Sequence, residues 1–317
     1  MPVETDCVRT ETARCPLCGP MGAVTVVHGE DRELGLPGRY AVIRCQGCGL
    51  LRTDPRPTLE TMGYYYPDSY APYALEGAVS EVRTGRARRH GWARRLLDAR
   101  DHAVPPLPPG RLLELGCASG QFLATMAAKG WQVQGIEPSP AAAGRAAAQG
   151  FDVINAQVEL VTDLDEQFDL IAAWMVLEHL HDPIQVLTRM RAWVKPSGWL
   201  ALSVPNAASV ERRIFRSHWY ALQLPRHLYH FEPDTLAHLL QAAGWRVAGF
   251  HQQRTLTNFV GSCGRALEAG SGHRLGTRLV GAAAHSRLLR VAAFPAAAAL
   301  AALGQTGRMT VWARPGP

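Results

Sequence analysis

The feature that most restricts the fold of this chain is a rhythm between residues 111 and 253. Short apolar runs alternate there with helix-like stretches that stop at glycine. Residues 111–115 read as a buried strand, and 119–129 as a helix ending at Gly130. Residues 131–136 read as a second strand, 140–149 as an Ala-rich helix stopped by Gly150, and 151–155 and 168–173 as third and fourth strands. Asp182 is placed to cap a helix that has Pro183 at its first position and runs to about Val194. A fifth strand at 199–204, a helix at 233–243 stopped by Gly244, a sixth strand at 245–251 and a seventh at 309–313 complete the pattern. Strands and helices in alternation predict an α/β class with a doubly wound, seven-stranded sheet, whose ligands bind at the carboxyl ends of the parallel strands.

The first strand runs into Glu114-Leu115-Gly116-Cys117-Ala118-Ser119-Gly120. Glycines after a strand allow a sharp turn and a close approach of backbone to ligand, beside the free N–H groups of the next helix. Ala118 and Gln121 stand where a dinucleotide fingerprint needs glycine, and Glu114 suits a ligand ammonium better than a pyrophosphate. Glu137 ends the second strand, twenty-one positions after Gly116, where an acid can accept from both hydroxyls of a ribose. These residues together describe an adenosine ligand that carries an amino acid. In them the chain resembles the class I S-adenosylmethionine-dependent methyltransferases, with Ala118 in place of the middle glycine of the E/D-x-G-x-G-x-G motif. The resemblance implies a Rossmann-like methyltransferase sheet. It also implies that Glu114, Gly116, Cys117, Ala118 and Gly120 line the methionine end, Glu137 the ribose, and Gln157, Val158 and Trp174 the rest of the cofactor pocket.

Methyl transfer to a hydroxyl needs alignment, exclusion of water and a general base, for which histidine is the usual choice. Two segments offer one. Trp174-Met175-Val176-Leu177-Glu178-His179-Leu180-His181-Asp182-Pro183 resembles the E-H-L/V-x-x-P run of many small-molecule methyltransferases. Pro225-Arg226-His227-Leu228-Tyr229-His230-Phe231 resembles a run in methyltransferases of sugar, polysaccharide and secondary-metabolite pathways. His227, His179, His230 and Tyr229 are therefore the candidate catalytic residues, and His227 leads because the resemblance places a proposed base there. No N/D-P-P-Y motif of amine methylation follows the fourth strand, which reads Ala173-Trp174-Met175-Val176 instead. Cys117 and Cys263 read as small apolar residues.

Cys15-Pro16-Leu17-Cys18 and Cys45-Gln46-Gly47-Cys48 form two knuckles, each followed by glycine. Four thiolates at this spacing favour a closed, tetrahedral, structural zinc site, with iron as the main competitor. Strand-like runs at 23–28 and 40–44 lie between the knuckles, and Cys7 reads as a bystander. Tyrosines 64–66, 70 and 73 either reach the acceptor pocket or pack the module on the sheet; packing is the simpler reading. The expected organisation is a zinc-binding module at 1–60, a connector at 61–110, the cofactor-binding domain at 111–253, and an Ala/Arg-rich helical insertion with the final strand at 254–317.

The insertion contains a thirteen-residue apolar run, 291–303, broken by Pro295. A bilayer span needs ~20 residues. The run reads as part of a helical hairpin over the active-site mouth or at a dimer interface; the alternative is peripheral membrane contact through 275–305. The first twenty residues are polar and show no apolar signal region, so the expected location is cytoplasmic, at most peripheral to the inner membrane face. The formal net charge of +6 is mild for 317 residues and permits an anionic partner without requiring one. The preferred function is methyl transfer to a small-molecule hydroxyl of a sugar, glycan or secondary metabolite, with no nucleic-acid partner. An rRNA or tRNA base methyltransferase using the zinc module on RNA, and a non-catalytic cofactor-binding subunit, rank behind it. The acceptor's identity and the oligomeric state are not legible in these residues.

Overall fold

The computed structural model describes residues 8–67, 102–162, 164, 167–270 and 272–316. Cys7, Tyr70, Tyr73 and most of the 61–110 connector lie outside the described residues. Ahead of the connector come β1 (Thr10–Glu11), β2 (Ala23–Gly29), β3 (Tyr40–Cys45), β4 (Leu51–Asp54) and β5 (Arg56–Pro57). The α/β part follows as β6 (Arg111–Leu115), α1 (Gln121–Ala127), β7 (Gln132–Ile136), α2 (Pro140–Ala147), β8 (Asp152–Ile154) and β9 (Phe168–Trp174). It continues through α3 (Pro183–Trp193), β10 (Val194–Pro205), α4 (Val210–Phe215), β11 (Tyr229–His230), α5 (Pro233–Ala242) and β12 (Trp245–Gln252). Three helices, α6 (Thr257–Glu268), α7 (His273–His285) and α8 (Arg287–Ala302), then lead to β13 (Arg308–Pro315).

Seven strands form the main sheet in the order β12-β13-β10-β9-β6-β7-β8. Neighbouring strands from β8 to β10 pair parallel, whereas β13 inserts antiparallel between β10 and β12. Strand order reverses beside β6, so the loops after β6 and β9 open at the switch point where such sheets bind ligands. The local signals act as their chemistry dictates. Ser139 and Asp182 accept backbone N–H groups at the starts of α2 and α3, each with proline at the first turn. Several boundaries shift by one or two residues from the sequence expectation, and the start of β10 shifts by five. Helix α1 starts at Gln121 because Gly120 stands in the left-handed region, and β10 starts at Val194 by pairing with Phe168 ahead of an irregularity before Trp199.

The amino-terminal module is a second sheet in the order β11-β4-β3-β2. Its fourth strand comes from the distant Pro225–Phe231 run: Tyr229 faces Arg52 and His230 faces Leu51 across the ladder. The sequence reading had no strand there and none at β4. Side-chain alternation along β6 sends Leu113 and Leu115 into a core shared with Tyr40, Val42, Leu50, Leu51 and Tyr65 of the module. Leu112 turns to the opposite face, with Phe122, Leu123, Met126 and Trp131. Module and sheet are thus welded along one face. Arg226 and Asp31 seal the seam as an ion pair with both side chains fully buried.

The insertion is helical. Gly264 of α6 and Gly276 of α7 bring their backbones so close that a Cβ on Gly264 would lie 2.8 Å from the Gly276 carbonyl oxygen. Helix α6 also packs on the turn that leads to the histidine run: Ser262 Oγ accepts from the Tyr220 amide at 2.8 Å. Among the described residues no helix is long and apolar enough to cross a membrane.

Candidate active site

The site has two ends. The first is the loop between β6 and α1, where Gly116, Ala118 and Gly120 have φ of 67°, 47° and 83°. A Cβ on Gly116 would come within 2.7 Å of Val176 Cγ2, which places this loop directly against the turn after β9. Ala118 holds a conformation that glycine adopts freely and alanine does not, so the departure from the motif leaves the turn in place at a cost of about 1 kcal/mol.

Two buried acids flank the loop. Glu137 accepts the Ala118 amide on one oxygen (2.9 Å) and the Ser139 amide on the other (2.8 Å), which fixes the carboxylate plane and leaves a lone pair on each oxygen. Asn155 braces the Glu137 carbonyl at 2.8 Å. Burial raises the Glu137 pKa, and the two amides hold it back. Glu114, 3% exposed, has one carboxylate oxygen with no hydrogen-bond partner. Burial first, and the Glu137 charge second, drive its pKa well above the usual carboxylate range. A buried acceptor without a donor beside a second carboxylate is a site in want of a cation. A sulfonium nucleoside with an α-amino group and vicinal hydroxyls fits this set of acceptors.

The other predicted cofactor residues are Cys117 in the loop itself, Val158 and Gln157 after β8, and Trp174 at the end of β9. Cys117 is buried, and burial raises its thiol to about 12, which makes it a packing residue. Val158 is buried in a short turn that the exposed Gln157 opens. Trp174 ends β9 with its ring 5.1 Å from Phe122 and 5.0 Å from His102; sequence reasoning passed over His102, because nothing local ties it to the loop.

The second end lies past β9, in the short turn Leu177–His179. The Leu228 amide donates to the Glu178 carbonyl at 2.7 Å and so clamps the Pro225–Phe231 run onto this turn. His179 Nδ1 donates to the Arg226 carbonyl (3.0 Å), with the Tyr66 hydroxyl also 2.8 Å away. His227 Nδ1 donates to the Ala221 carbonyl (2.9 Å). A carbonyl only accepts, so Nδ1 carries the proton in both rings and Nε2 keeps its lone pair. The rings meet edge to face, 4.7 Å apart. Burial, with the other histidines and Arg226 nearby, holds His227 well below the usual histidine range, and burial lowers His179 to about 4. Both imidazoles are neutral at physiological pH.

The structure brings His227 and His179 together, with the His230 ring 6.4 Å from that of His227, and Tyr229 lies further towards the module. His230 is lowered by burial to about 3, and its Nε2 lies 3.3 Å from Thr53 Oγ1, on the module side. The Tyr229 hydroxyl donates to the His181 carbonyl at 3.2 Å beside the Arg56 guanidinium. The sequence reading undervalued two neighbours. Glu178, in sequence one residue of the Trp174–Pro183 run, is fully buried. Tyr66 was read more simply as packing, yet its hydroxyl touches a candidate histidine.

In the module, one sulfur from each of Cys15, Cys18, Cys45 and Cys48 lies within 4.8 Å of the others. The amides of Leu17 and Cys18 point at the Cys15 sulfur, those of Gly47 and Cys48 at Cys45, and that of Leu50 at Cys48. Such amides stabilise thiolates, so the donor set fits a tetrahedral divalent ion held without an open position.

The methyltransferase-domain family matches residues 85–248. A ubiquinone biosynthesis O-methyltransferase of Cereibacter sphaeroides is 31% identical over 158 residues, covering 46% of this chain and 64% of that protein, so the match spans less than two thirds of the relative. A protein of the same description from Acinetobacter baumannii is 30% identical, covering 45% of this chain and 67% of its own length. Among solved structures, an S-adenosylmethionine-dependent methyltransferase from Mesorhizobium loti aligns with a TM-score of 0.46 at 16% identity, over 70% of this chain and 95% of that one.

Proposed function

Because the chain belongs to the methyltransferase-domain family, we propose that it transfers a methyl group from S-adenosylmethionine to a hydroxyl of a small-molecule acceptor, in the class of sugars, glycans and secondary metabolites. The observation that carries this reading is the pair of buried carboxylates, Glu114 and Glu137, flanking a positive-φ loop at the tips of adjacent parallel strands. S-Adenosylmethionine, when bound, supplies a methyl carbon already activated by a sulfonium. The protein's part is then to grip, orient and exclude water. In this reading Glu114 receives the ammonium, Gly116, Cys117, Ala118 and Gly120 shape the turn around it, and Glu137 accepts from the ribose hydroxyls. Val158, Gln157 and Trp174 border the remainder.

The acceptor hydroxyl must approach from the side of the Leu177–His179 turn, which the glycine loop touches through Val176. His227 and His179 present neutral Nε2 atoms there, and the hydroxyl's proton leaves towards this pair as its oxygen takes the methyl group. His230 and Tyr229 support the run from the module side. The polar rings, together with the Tyr66 hydroxyl, favour a hydroxylated acceptor over an apolar amine. The four cysteines hold a structural zinc ion, whose role is to fold the module that pairs with the histidine run.

The test is a transfer assay with methyl-labelled S-adenosylmethionine against free sugars, sugar nucleotides, phenols, amines and RNA. The reading expects saturable label on a hydroxyl compound. Label on RNA or on amines alone would overturn the acceptor class.

A further inference from the structure

The acceptor end contains a group that methyl transfer as described leaves unused. Glu178 is fully buried, and neither of its carboxylate oxygens has a hydrogen-bond partner. A carboxylate without a donor, removed from water, is among the costliest groups a fold can hold. One oxygen of Glu178 and one nitrogen each of His179 and His227 all lie within 4.8 Å of one another. Both rings have Nδ1 on a backbone carbonyl, Arg226 for one and Ala221 for the other. That outer bond is the arrangement that fixes the tautomer and aim of a metal-bound histidine. The three side chains come from two segments locked together by the bond from the Leu228 amide to the Glu178 carbonyl, so their spacing is set by backbone rather than by long flexible side chains.

We propose that Glu178, His179 and His227 form a second metal site, distinct from the four-cysteine centre, that takes a divalent first-row transition ion. Two imidazoles and one carboxylate suit zinc, iron or manganese and leave coordination positions open. The inference rests on the functional reading above and refines it: the histidine pair acts on the acceptor through an ion, and the acceptor carries a hydroxyl able to bind that ion. A hydroxyl bound to a divalent cation would lose its proton far more readily than a free one, and because both imidazoles would be held on the ion the proton would pass to solvent water while the oxygen takes the methyl group. Arg308 reaches Glu178 only through its field, and its Nε already donates to Asn258.

The test uses the tag-free, full-length protein as purified, with its cysteine centre loaded, titrated with cobalt(II). The expected result is uptake of one equivalent with visible d–d bands but no thiolate-to-metal charge-transfer band, and a rise in melting temperature. Glu178→Gln keeps the shape of the side chain and removes the charge; His227→Ala removes a ligand. Either should weaken cobalt uptake by more than ~100-fold and abolish the thermal shift, with the cysteine centre intact by metal analysis. No uptake by the parent protein, or undiminished uptake by Glu178→Gln, overturns the site. S-Adenosylhomocysteine is titrated into the same samples. Binding of that nucleoside without cobalt uptake overturns the metal site alone, whereas no nucleoside binding overturns the functional reading beneath it.

Discussion

The proposed donor and acceptor ends of the site lie against each other, yet the chain builds them in opposite ways. The donor end is drawn from one continuous stretch: Glu114, the glycine loop, Glu137 and Asn155 belong to three successive strand ends, and backbone amides of the same stretch aim the Glu137 carboxylate. The acceptor end is assembled from remote pieces. The turn at 177–179 meets the run at 225–231, whose outer side is held by Thr53, Arg56 and Asp31 of the module and Tyr65 at the start of the connector. Cofactor geometry is therefore a local property of the α/β sheet, and acceptor geometry is a property of how the module is seated. Perturbing the module should move one end and spare the other.

His227→Ala should cost ~10²–10⁴-fold in turnover while S-adenosylhomocysteine affinity stays within about twofold by calorimetry. Equal losses in both would erase the division between the ends. Next, Asp31→Ala removes the closer carboxylate of the fully buried Arg226 guanidinium and leaves it only Glu33, 3.7 Å away; about 3 kcal/mol of stability should go, read from denaturant unfolding. Folded protein at low temperature should still bind the nucleoside, and loss of that binding would show that the module supports the donor end too. Glu137→Ala acts in the reverse sense. It removes one charge-assisted bond to the loop at Ala118, another to Ser139 at the start of α2, and the ribose acceptor, and should weaken nucleoside binding ~10–100-fold with cobalt uptake at the acceptor end unchanged. The smallest effect belongs to Ala118→Gly, which relieves a left-handed alanine and should stabilise the fold by about 0.5–1 kcal/mol. A loss of stability there would mean that the methyl group packs usefully despite its backbone.

The same division explains what could be read from the sequence. Strand and helix alternation, proline and aspartate caps and the glycine stops are local, so the main sheet and the position of the glycine loop between Glu114 and Glu137 were legible. Helix α1 begins two residues later than the expected start at Ser119 because Gly120 turns left-handed ahead of it. Strand β11 was invisible because two residues carry no periodicity of their own; they become a strand only by pairing with Arg52 and Leu51. Glu178 was likewise unreadable as an unpaired buried acid, since its burial is made by residues some fifty positions later that close over it. The cysteine knuckles were legible because thiolate spacing is itself the chemical constraint.

The central claim is that Glu114 and Glu137 grip a sulfonium nucleoside across the glycine loop. Isothermal titration of the purified chain with S-adenosylhomocysteine tests it most directly, because the product retains the amino acid and ribose groups that these acids hold. The account predicts saturable binding of one molecule per chain that weakens in Glu137→Ala; a flat titration, or unchanged affinity in that variant, would contradict it.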